Sequence, residues 1–117
     1  MNESICNFKY LVGIMGDKKP LIKGIMDAFL IQIPGELSGI TNGIAKMNYA
    51  TVKNFAHTMK SSVSIMGITI LSPILNEMES LGTAQINMER IKELNLELNS
   101  LCVQAVKEIE TEKYKYA

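Results

Sequence analysis

The sequence predicts an all-α protein: an antiparallel four-helix bundle entered through a short lead-in helix, with residues 1–117 forming one domain. Three observations carry this expectation. Apolar residues recur at spacings of three and four along four segments, as the buried stripe of a helix requires. No segment sustains the period-two alternation of a half-buried strand. The apolar fraction of 47% is filled by Leu, Ile, Val and eight Met, with no Trp, which suits helix packing better than a sheet.

The lead-in is NFKYLVGIM, where Phe8, Leu11, Val12 and Met15 share a helical face and Gly16 ends the run. Asp17 is placed to cap the first long helix, with Pro20 in a first turn that has no N–H bonds to lose. Its stripe is Ile22, Ile25, Phe29, Ile33, Leu37, Ile40, Ile44 and Met47. Pro34 and Gly35 interrupt it, and the stripe on both sides predicts a kink rather than a stop.

Asn48 is the expected cap of the next helix, whose seam is Val52, Ala56, Met59, Val63 and Met66. Gly67 fits the left-handed position that follows a helix. A third helix is expected from Thr69 or Ser72, with Pro73 in its first turn, inner residues Leu71, Leu75, Met78 and Leu81, and Gly82 at its close. Asn87 is placed to cap the last helix, with the stripe Ile91, Leu94, Leu98, Leu101, Ala105 and Ile109. Lys113 and Lys115 complement the negative end of that helix.

Charge and composition exclude several classes. Twelve basic and twelve acidic residues cancel, whereas a nucleic-acid partner calls for a basic excess. No apolar run approaches the roughly 20 residues that span a bilayer, and the candidate GITILSPIL is broken by Pro73. The N-terminus lacks a signal-peptide layout. Cys6 and Cys102 stand far apart without metal-type spacing and are expected as reduced, buried thiols. These readings point to a cytoplasmic protein without nucleic-acid or membrane partners.

The stretch AHTMKSSVSIMG, residues 56–67, holds the single histidine. Lys53, His57, Lys60 and Ser64 follow a four-three-four spacing one residue along from the seam, so they form a rim stripe. An imidazole there, with a free pKa near ~6.5, is a nucleophile at cellular pH and can carry a covalent intermediate. Small Ser61 and Ser64 leave it open to a large partner. Lys60 could follow phosphoryl oxygens, while Lys53 is either an ordinary surface lysine, the more frequent case, or a source of added positive potential. With one imidazole and no thiolate pair, a zinc site is incomplete. On spacing alone, a solvated His-Lys face remains an open alternative.

AHTMKSSVSIMG followed by ILSPILNEMESLG resembles the signature of the histidine-containing phosphotransfer domains of bacterial two-component phosphorelays. The matching residues are His57, Lys60, Ser61, Ser62 and Gly67, then Leu71, Leu75 and Glu79, with Gly16-Asp17, Phe29 and Pro34 upstream. Two positions depart from the pattern: Ser61 stands where glycine is frequent, and Met59 where leucine is usual.

The resemblance implies a phosphorelay intermediate. His57 would accept a phosphoryl group from a receiver-domain aspartyl phosphate and pass it to another receiver aspartate. Lys60 would stabilise the phosphoryl oxygens, and Gly67 would shape the surface near the histidine. The implied partners are response-regulator receiver domains and a hybrid sensor histidine kinase, met by a monomer. It implies no cofactor of its own and no ATP site, with Mg²⁺ supplied by the partner receiver. The rival readings are a non-catalytic helical-bundle adaptor and a dimerisation module.

Overall fold

The Asn48 side chain accepts a hydrogen bond from Thr51 N–H at 3.1 Å, and the helix carrying the histidine starts there. This is the cap expected from the sequence. The computed structural model describes residues 3–117. Among them lie five helices: α1 (Lys9–Met15), α2 (Lys19–Ala45), α3 (Tyr49–Ile65), α4 (Ser72–Ala84) and α5 (Met88–Glu112). Short 3₁₀ turns, Thr69–Leu71 and Lys113–Tyr116, precede α4 and follow α5. Helix α3 packs between α2 and α4, and α5 closes the bundle against both. The four long elements form the expected antiparallel bundle, with α1 as the lead-in.

The α3 seam reads as the sequence predicts: Val52, Ala56, Met59 and Val63 are fully buried and Met66 nearly so. They meet Ile22, Met26, Phe29, Ile33 and Ile40 of α2, Leu75 and Met78 of α4, and Ile91, Leu98 and Ala105 of α5 in one core. Burying a side chain of this size contributes about 1.5–3 kcal/mol. Two stripes shift by a residue. Met26 is buried beside a half-buried Ile25, and Cys102 takes the core position expected for Leu101. Cys102 is a buried free thiol, whereas Cys6 is only half-buried.

Helix termini supply the other corrections. Asp17 does not cap α2; the flanking residue is Lys18, without a side-chain cap, and Pro20 sits in the first turn. At Pro34 the helix continues rather than stops, as the stripe on both sides predicts. Met47 lies beyond α2, 58% exposed, with a positive φ of 53°. Gly82 does not end α4, which continues to Ala84 and stops at Gln85 in the left-handed conformation. Gly82 instead faces α3: a Cβ there would stand 2.9 Å from Lys53 Cβ and 3.1 Å from the Tyr49 carbonyl oxygen. Its missing side chain lets α4 lie close against α3.

The N-terminal segment is strapped onto α5. The Glu108 carboxylate accepts from Ser4 Oγ at 2.7 Å, Ile5 N–H at 3.0 Å, Cys6 N–H at 2.9 Å and Gln104 Nε2 at 2.9 Å. Asn7 N–H then donates to the Gly67 carbonyl at 3.2 Å. Gly67 has a φ of +67°, and a Cβ on it would fall on the Asn7 carbonyl oxygen. Both conditions require glycine. A bidentate pair ties α4 to α5, with Arg90 donating to Glu77 at 2.7 and 3.0 Å.

Candidate functional site

Position 57 sits between two core positions, Ala56 and Met59, both fully buried. Those anchors fix the rotation of α3, so the His57 ring emerges at the rim with 69% of its side chain exposed. The expectation of an open imidazole on the flank of the bundle holds.

Helix α4 supplies what faces the ring. Glu79 lies one residue from the buried Met78, on the edge of α4 nearest α3. Its Oε2 is 2.7 Å from His57 Nδ1, and its Oε1 accepts a hydrogen bond from Lys60 Nζ at 2.7 Å. One carboxylate therefore holds both residues of the His-x-x-Lys pair. Gly82, one turn beyond Glu79, favours this reach, since a side chain there would press on Lys53 and the Tyr49 carbonyl of α3.

The Lys60 bond, followed by the His57 bond, holds the Glu79 carboxyl below its ordinary pKa of 4.5. Near neutrality it is a carboxylate, which can only accept. Nδ1 must then carry the proton. In the neutral ring this leaves the lone pair on Nε2, the nitrogen that Glu79 does not occupy. The arrangement presents a nucleophilic nitrogen to solvent while an anion supports the far side of the ring.

The other expected residues divide by position. Lys53 is half-buried one turn before His57, with its Cα and Cβ facing Gly82. Ser61 and Ser64 are exposed on the same side of α3, and neither hydroxyl is engaged among the described residues. Gly67 lies ten residues beyond His57, roughly 15 Å along a helix axis. Its contacts are with the N-terminal segment, so it serves the fold rather than the surface around the imidazole. Glu79 was part of the matched motif but not among the expected site residues. The signal that could have found it is a carboxylate beside an apolar seam position on the neighbouring helix.

An apolar groove of about 140 Å³ lies on the α2 side of α3, lined by Ile25, Ala28, Phe29, Gln32, Ser62 and Ile65. Among the described residues no group of three or more His, Cys, Asp or Glu could hold a metal ion. Among the described residues no helix is long and apolar enough to cross a membrane.

No family model matches this chain, and no curated protein does. A solved structure does match: the histidine-containing phosphotransfer protein B (HptB) of Pseudomonas aeruginosa PAO1. It superposes with a TM-score of 0.89 over 99% of this chain and 100% of that one, at 15% identity. The chain thus has the all-helical histidine-phosphotransfer fold along its whole length.

Proposed function

We propose that this chain is a phosphorelay intermediate in which His57 carries a phosphoryl group between receiver domains. The observation that carries the proposal is the exposed His57 ring with Nδ1 held by Glu79. The fold it shares with a phosphotransfer protein supports the same reading.

In the loading step, the Nε2 lone pair attacks the phosphorus of a receiver's aspartyl phosphate. An N–P bond forms as the P–O bond to the aspartate breaks, and that electron pair leaves with the carboxylate. The Nδ1 proton stays in place, so the ring becomes cationic, and the Glu79 carboxylate stabilises that charge. Unloading reverses the step on another receiver's aspartate. Little covalent work is asked of this chain; its contribution is positioning and charge. Lys60 is close enough to turn from Glu79 toward the phosphoryl oxygens once they arrive. Mg²⁺ belongs to the receiver in this scheme, and no ATP site is required.

The partners are response-regulator receivers, one of them attached to a hybrid sensor histidine kinase, acting with this chain in the cytoplasm. The groove between α2 and α3 offers an apolar contact on the flank of the histidine helix. Such a small surface suits partners that must dissociate in turn.

The test is phosphoryl transfer. Incubation with radiolabelled, phosphorylated receivers should place acid-labile label on the wild-type chain and none on His57→Gln. Absence of label from a full set of receivers would favour a non-catalytic adaptor of the same fold.

A further inference from the structure

Helices α3 and α4 carry two lysines between them, and the structure treats them differently. Lys60 is committed: its ammonium donates to Glu79 at 2.7 Å, with 37% of its side chain exposed. Lys53 has no hydrogen bond or ion pair among the described residues. It stands one turn before His57 on the same stripe, and its Cα and Cβ lie where Gly82 has no side chain. The contact fixes the base of the side chain and leaves the ammonium uncommitted.

Resting on the phosphohistidine reading above, we propose that Lys53 is the cation that meets the incoming aspartyl phosphate, whereas Lys60 acts only after the N–P bond has formed. The charges favour this order. With the ring neutral, Lys60 and Glu79 cancel each other, so these three groups offer a phosphoryl dianion no net attraction. Lys53 alone makes the resting site positive. A phosphoryl group brings about −1.5 to −2 charges, and an exposed cation acts on such a group chiefly through approach and capture. Once the ring is phosphorylated and cationic, Glu79 has a second positive partner, and Lys60 becomes free to turn to the phosphoryl oxygens.

The experiment uses the full chain and a receiver domain, charged with acetyl phosphate and Mg²⁺, that labels the wild-type protein. Lys53→Met keeps an unbranched side chain and removes the charge; Lys53→Arg restores it. Loading of Lys53→Met should be about tenfold slower at low salt, with a flattened dependence on ionic strength, and Lys53→Arg should recover both. Lys60→Met combined with Glu79→Gln removes the cancelling pair together and leaves the resting charge as it was, so this double variant should keep the wild-type salt dependence of loading and shorten the lifetime of the phosphohistidine. Wild-type loading and salt dependence in Lys53→Met, or their loss in the Lys60→Met/Glu79→Gln variant, would overturn the division of roles while leaving His57 as the carrier. A wild-type chain that takes no label from any receiver would overturn the carrier itself, and this proposal with it.

Discussion

Glu79 Oε2 stands 2.7 Å from His57 Nδ1, joining α4 to the one imidazole of the chain. This contact fixes which ring nitrogen is free. It also supplies the counter-charge for the ring once that nitrogen is bonded to phosphorus. The same carboxylate occupies Lys60, so removing it releases two groups at once.

Glu79→Gln should therefore slow phosphoryl transfer without unfolding the bundle. A hydrogen bond to a charged group is worth about 1.5–3 kcal/mol, which corresponds to a rate loss of about tenfold or more. Transfer kinetics measure this directly, with circular dichroism checking the fold. An unchanged rate would show that the ring needs no anionic support.

Gly82→Ala should destabilise the protein by about 1 kcal/mol or more, because overpacking at a tight helix contact costs more than alanine's helix preference returns. The new Cβ would meet the Tyr49 carbonyl at 3.1 Å and Lys53 Cα at 3.2 Å, both backbone atoms. Urea denaturation measures the loss. Transfer should also slow, since moving α4 outward draws Glu79 away from His57. A stabilised variant would mean that the helices separate at no cost.

Gln85→Gly should stabilise the fold by about 0.5–1 kcal/mol. Gln85 closes α4 with φ at +58°, where glycine avoids the strain that a side chain imposes. Thermal or urea unfolding should show the gain with transfer unaffected. Decreased stability would indicate that the Gln85 side chain makes a contribution larger than its backbone strain.

The strap on Glu108 gives a pH signature. Burial alone would raise this carboxyl, but bonds from Ile5 N–H, the Ser4 hydroxyl, Cys6 N–H and the Gln104 amide outweigh burial and bring it from 4.5 to about 2. An acid lowered by folding stabilises the native state above its ordinary pKa, and that contribution is lost as the pH falls toward the lowered value. Wild type should exceed Glu108→Gln in stability at neutral pH, and the gap should narrow between pH 4.5 and about 2. A gap independent of pH, measured by urea unfolding across that window, would contradict this.

The fold was legible because its signals are local. The spacing of Val52, Ala56, Met59 and Val63 set both the α3 seam and the exposed position of His57. Asn48 and Asn87 capped their helices as their residue types suggested, accepting from Thr51 and Arg90 N–H. What escaped depends on pairs of elements. Gly82 reads locally as a terminator, yet its role is set by the backbone of α3 across from it. Gly67 satisfies its local turn and also makes room for Asn7, sixty residues earlier. Glu79 serves His57 and Lys60 only because α4 lies against α3, a distance that no spacing within one helix encodes.

The most direct measurement is the position of the phosphorus on the imidazole. With ¹⁵N-labelled histidine, the chain loaded from a phosphorylated receiver should show nitrogen–phosphorus coupling at Nε2 of His57, with Nδ1 still protonated and bonded to Glu79. Coupling at Nδ1, or phosphorus on a hydroxyl with the ring unchanged, would contradict the proposed carrier.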